Sequence, residues 1–145
     1  MTQAQETAEV LRSRLVAELS RPAFHGFIRP YAIDVNLAQR SVSIGIPFRP
    51  EFKFRDDQPG IHGGVISAIA DLSVYAVTAV FSGCVSPTVS LSVDFLNLAA
   101  DADMVSSAHI IKMGRQLAWA QADIFCDNKQ VAVAKAVLLL KEKNI

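Results

Sequence analysis

The chain has 145 residues, the size of one ordinary domain, and with 51% hydrophobic and 19% charged residues it can bury a core of its own. Its 14 basic and 14 acidic side chains cancel, so no global field draws it onto nucleic acid or an anionic membrane. Cys84 and Cys126 make neither a CxxC nor a zinc spacing, and no metal site is expected. Two buried thiols in a reducing cytosol fit them better than a lone disulfide, so a cytoplasmic location is expected.

In chain order, the N-terminal stretch carries Glu6 and Glu9 and no continuous apolar core, unlike a signal peptide. Over residues 3–20, Ala4, Ala8, Leu11, Leu15 and Leu19 recur at helical spacing, and Pro22 stops the pattern. Residues 1–22 are therefore expected to form an amphipathic helix docked on a single body, residues 23–145. From Tyr31 the period changes to two. Tyr31, Ile33, Val35 and Leu37 alternate with polar residues, as do Val42, Ile44 and Ile46 beyond a turn near Gln39–Arg40. This predicts two antiparallel strands with one buried face.

Residues 49–61, with Pro50, Pro59 and Gly60, read as a loop. The next segment, Gly63–Phe81, is apolar nearly all round, which predicts a buried central helix closed by Gly83. Ser67, Asp71, Ser73 and Thr78 interrupt it, so no uninterrupted apolar run reaches membrane-spanning length. Gly64, Ser67, Asp71 and Thr78 fall near one stripe, a narrow polar line in an apolar shell. After Pro87 four strands are expected, Thr88–Asn97, Asp103–Met113, Gln116–Cys126 and Gln130–Leu140, with turns at Met113–Arg115 and Asp127–Lys129. Two strands, one buried helix and four strands make an α+β domain whose sheet wraps the helix.

The segment from His62 to Asp71, HGGVISAIAD, concentrates the chemistry. Paired glycines at a helix start leave the first N–H groups uncovered at the positive end of the helix dipole, where they suit an anion or a polarised carbonyl oxygen. A carboxylate is costly to bury, so Asp71 inside such a run is expected to be a buried, working acid. An oxyanion donor and an acid on one short element point to acyl transfer. Gly63 and Asp71, however, are eight residues apart on one helix, or about 12 Å along its axis. One small carbonyl cannot touch both, so a two-fold dimer with two composite sites is expected.

With HGGVISAIAD, PTVSLSVDFLNLA at Pro87–Ala99 and KMGRQLAWAQADIF at Lys112–Phe125, the sequence resembles the hotdog-fold acyl-CoA thioesterases, and among them the phenylacetate-pathway PaaI type, over roughly residues 30–141. The resemblance implies a long helix wrapped by a curved antiparallel sheet, subunits paired through their sheets, dimers that often pair again, and active sites at the dimer interface. It implies that Asp71 is the catalytic acid, that the Gly63 N–H polarises the thioester carbonyl with His62 beside it, and that Thr88 lies near the attacking water. Gly64 and Ser67 are candidates for substrate contact. Many relatives have an Asn some six residues before the histidine; the counted position here is Asp56, and Asp57 or Gln58 takes the role if the loop is drawn differently.

Thioester hydrolysis needs no resident cofactor, since coenzyme A arrives as part of the substrate. Arg115 and Lys112 beside a hairpin turn, and Lys53 and Arg55 before the helix, are candidates for its phosphates. Phe81, Phe95 and Trp119 are candidate walls for the acyl group. His25 and His109 have no partner constellation and are expected to be structural or on the surface. The competing readings are an acyl-CoA-binding module without catalysis and a hydratase or dehydratase on the same fold. The D-x-N-P-x-H and H-F-P type motifs of the last are absent from the sequence.

Overall fold

The structure is a computed structural model and describes residues 7–142. The elements run α1 (Ala8–Ser20), α2 (His25–Ile28), β1 (Tyr31–Asn36), β2 (Ser41–Ile46), a 3-10 turn (Pro50–Phe52), α3 (Gly63–Ser82), β3 (Thr88–Phe95), β4 (Met104–Met113), β5 (Leu117–Cys126) and β6 (Lys129–Leu139). Ala4 and Glu6 of the expected N-terminal helix lie outside the described residues. Within them α1 starts where Thr7 accepts the Val10 N–H, and it buries the anticipated stripe of Leu11, Leu15 and Leu19. The four-residue α2 is too short to leave a period in the sequence. Its His25 is buried with Nδ1 2.9 Å from the Leu19 carbonyl, a structural role as expected.

All six strands form one antiparallel sheet in the order β1-β2-β4-β5-β6-β3. The turns after β4 and β5 make hairpins where they were expected, at Met113–Arg115 and Asp127–Lys129. β3 does not join that series. It crosses to the far edge and pairs with β6.

Helix α3 lies against β2 through β6. The sheet's inner face explains how a helix of this girth fits. Ala108, Ala118, Ala120, Ala122, Ala132, Ala134 and Ala136 are all buried there, and their small side chains leave room for the buried Ile66, Ile69, Val74 and Val77 of α3. α3 is long and apolar enough to cross a membrane, but it is mostly buried inside this fold. α1 adds a second layer over the helix. Arg14 donates to the Val80 carbonyl, and the buried Glu18 hydrogen-bonds Tyr75, whose phenol is pushed up by burial first and by that carboxylate second.

Three expectations need correcting. Asp71 is exposed in the single subunit, because it points out of the apolar shell toward the β3 edge. The polar line also breaks after Asp71, since Thr78 is fully buried with its hydroxyl unpartnered among the described residues. Cys84 and Cys126 are both free, but only Cys126 is buried, so the expectation of two buried thiols holds for one.

Leu15 is fully buried between α1 and the body, so Leu15→Ala is expected to cost about 2–5 kcal/mol. Urea unfolding followed by circular dichroism measures it, and an unchanged midpoint would mean that α1 is not part of the cooperative fold.

Candidate active site

His62 is the N-cap of α3, and its backbone is extended, at φ −60° and ψ 134°. Its ring Nδ1 accepts the Gly64 N–H at 2.8 Å, so the proton of the neutral ring is on Nε2. The Val65 and Ile66 N–H groups both turn back to the His62 carbonyl. Of the first helical amides this leaves the Gly63 N–H without a partner among the described residues. The glycine at 64 is needed for this cap, because a Cβ there would meet His62 Nδ1 at 2.9 Å. The Gly64 N–H is thus already used, and Gly63 holds the one free donor at the positive end of the helix dipole. The edge of the Phe95 ring lies beside Gly63, 3.4 Å from where a Cβ on it would stand.

Eight residues beyond Gly63, a little over two turns along the helix, α3 presents Asp71. Thr88 Oγ1 donates to Asp71 Oδ1 at 2.7 Å, the short length typical of a charge-assisted bond. A bulge between Thr88 and Ser90 makes this contact. It disturbs the β3–β6 register at that point, leaves Val89 exposed, and turns Thr88 toward the helix. Asp71 makes no ion pair among the described residues, and its Oδ2 has no protein partner there. Ser67 does not cap it, since the Ser67 hydroxyl donates to the Gly63 carbonyl at 2.9 Å.

The segment before α3 is tied down by groups that sequence reasoning missed. Asp101, on the β3–β4 connection, accepts the Gly60 N–H at 2.8 Å through one oxygen and pairs with Lys53 at 3.1 Å through the other. These partners hold its carboxyl below the ordinary range, the Gly60 hydrogen bond first, against a smaller upward push from desolvation. Arg55 is bound to Asp57 by two 3.0 Å bonds. Lys53 and Arg55 are thus each paired with a carboxylate of the loop region in the single subunit, and Asp57 with Arg55. Asp56 is exposed, and only its carbonyl is used, by Lys53.

Arg115 lies elsewhere, exposed on the β4–β5 turn. With Lys112, Gln116 and Trp119 it lines an open cleft of roughly 400 Å³, in which the Lys112 ammonium stands 5.4 Å from the Trp119 ring. The subunit therefore brings Asp71 and Thr88 together, and His62, Gly63 and Gly64 together, in two separate places. No group of three or more metal-ligating side chains converges among the described residues.

Because the Asp101 carboxyl is depressed in the fold, its contribution to stability is present above the unfolded value and is lost as pH falls through the folded one. The difference in urea midpoint between wild type and Asp101→Ala is expected to be constant near neutrality and to vanish only in acid below the ordinary carboxylate range. A difference already lost near pH 6 would contradict this.

Comparison with known proteins places this geometry. The family model of the acyl-CoA thioesterase N-terminal domain matches residues 54–139, which hold α3 and β3 to β6. Among solved structures, the chain is similar to a phenylacetic acid degradation-related protein of Ralstonia eutropha, at 21% identity and a TM-score of 0.79 over 90% of this chain and 98% of that one. It is similar to the PaaI protein of E. coli at 13% identity and 0.81, covering 93% and 96%, and to zebrafish thioesterase superfamily member 2 at 18% and 0.76, covering 93% and 99%. No curated protein matches the chain. At these identities the structures speak for the fold, and the family model speaks for descent. A helix wrapped by this sheet, opened by His-Gly-Gly and carrying its acid nine positions on, agrees with that model, and the chain belongs to the hotdog acyl-CoA thioesterase family.

Proposed function

We propose that this protein hydrolyses acyl-CoA thioesters, with an aryl or medium-chain acyl group, to the free acid and coenzyme A, at sites shared between two subunits in the cytoplasm. The observation that carries the reading is the 2.7 Å bond from Thr88 to Asp71. It fixes one carboxylate oxygen and leaves the other for chemistry. That oxygen takes a proton from water as the water attacks the carbonyl carbon, or attacks that carbon itself; both routes need a free, oriented carboxylate. The carbonyl oxygen gains charge in the transition state and is met by the Gly63 N–H, a kind of contact typically worth about 3 kcal/mol. Coenzyme A departs as a thiolate, a good enough leaving group to need no strong acid beside Asp71. His62 shapes the donor by taking up the Gly64 N–H.

The edge strand supports a composite site. β3 runs beside α3 with its Thr88 end at Asp71 and its Phe95 end at Gly63. A second β3 laid antiparallel on this edge about a two-fold axis near Leu91 and Ser92 brings the partner subunit's Asp71 toward this subunit's Gly63. The edge is suited to such pairing: Val89 is 63% and Phe95 55% exposed, and Leu96 and Leu98 beyond it are also exposed. On this proposal the acyl group lies between subunits beside Phe95, and Lys112 and Arg115 at the hairpin turn receive the phosphates of coenzyme A. A dimer of such dimers is proposed from the family alone.

Asp71→Asn is expected to fold and to sediment as the wild-type dimer, while kcat for thioester cleavage falls by about 10²–10⁴-fold. Thr88→Val, which removes only the orienting bond, is expected to lose about ten-fold. Thiol release from a panel of aryl- and alkanoyl-CoA substrates measures both. Unchanged turnover of Asp71→Asn, or binding without hydrolysis by the wild type across the panel, would remove the enzymatic reading.

A further inference from the structure

An amide serves as an oxyanion donor only if it is held still before the reaction starts. The Gly63 N–H is the first of its helix, so its direction is set by the three non-helical residues in front of it. Their backbone is pinned at every position: Gly60 carbonyl to the Phe54 N–H, Ile61 N–H to the Ala99 carbonyl, and His62 N–H to the Phe52 carbonyl at 2.8 Å. A fourth tie comes from a side chain, the Gly60 N–H donating to the Asp101 carboxylate at 2.8 Å. Gly60 is at φ 137°, a conformation that L side chains rarely adopt, and a Cβ there would run into Phe54. The loop has little intrinsic preference for this path and depends on the ties that fix it.

We infer that Asp101 is a positioning residue for thioester hydrolysis, acting through Gly60 to aim the Gly63 N–H. The inference rests on the proposed role of Gly63. Asp101 is suited to the task because its two oxygens pull in different directions, one on Gly60 and one on Lys53 at the other side of the loop. It also stands on the connection leaving β3. One strand and its outgoing loop thus fix both halves of the chemistry: Thr88 at its start orients Asp71, and Asp101 past its end braces the segment that leads to Gly63. Asp101 does not need to touch substrate to do this, so its removal should weaken turnover and spare binding.

Asp101→Ala is expected to lower kcat at least about ten-fold with KM within about two-fold, at a temperature where circular dichroism shows it folded. Asp101→Asn keeps an oxygen for the Gly60 N–H and is expected to stay within about three-fold of wild-type kcat. Hydrogen exchange gives a readout independent of activity. In Asp101→Ala the amides of Gly60, Ile61 and His62 should exchange faster by a clearly larger factor than those of β5 and β6, which follow only the change in global stability. A folded Asp101→Ala with unchanged kcat, a loss confined to KM, or Asp101→Asn as impaired as Asp101→Ala would overturn the inference. If the wild type cleaves no thioester, the proposed function falls, and exchange alone decides the brace: acceleration larger at residues 60–62 than in β5 and β6 upholds it, and uniform or absent acceleration defeats it.

Discussion

A helix is a ruler. Eight residues of α3 keep the Gly63 amide and the Asp71 carboxylate about 12 Å apart, and packing against β2 through β6 prevents the helix from bending to bring them closer. A thioester carbonyl is too small to span that gap. If the two groups act on one bond, they must come from different copies of the chain, and the quaternary structure becomes part of the active site rather than a means of stabilising it.

The single subunit is built for that division of labour. Its interior is apolar and close-packed, with alanines on the sheet admitting the larger side chains of α3. Polar chemistry is confined to the rim. At the helix start, the ring and the backbone carbonyl of His62 accept the neighbouring N–H groups and leave the Gly63 N–H without a partner among the described residues. At mid-helix, Thr88 takes one oxygen of Asp71 and leaves the other. β3 links the two places within one chain, and its free edge offers the surface on which a second copy would complete both.

Much of this was legible in the sequence where one period or one residue type dominated. The two-residue alternation of Tyr31–Leu37 and the unbroken apolar character of Gly63–Phe81 found their elements, and Gly83 ended the helix at φ 70°, as a left-handed cap requires. What stayed hidden depended on partners far apart in the chain. Asp101 reads as one more acid in an alanine-rich loop, and nothing near it announces Gly60 or Lys53. The bulge that aims Thr88 is a slip of one residue in a strand whose alternation looked regular. Lys53 and Arg55 looked like free cations because their carboxylate partners could not be assigned before the loop was folded. The apolar neighbours of Asp71 in sequence suggest a buried acid, but in a helix those neighbours lie on other faces, and its own face opens on the sheet edge.

The central claim is that each site takes its acid from one subunit and its amide from the other, and mixing two inactive chains tests it most directly. Asp71→Asn lacks the acid. Gly63→Pro lacks the N–H, and it should fold, because proline suits the first helical position and the extended backbone of His62 suits the residue before a proline. Each variant alone is expected to be inactive. Refolded together in equal amounts, half of the dimers are mixed, and one of the two sites in each regains both groups, so activity should return to about a quarter of wild type. A mixture that stays as inactive as its components, although mass spectrometry shows mixed dimers, would contradict the account.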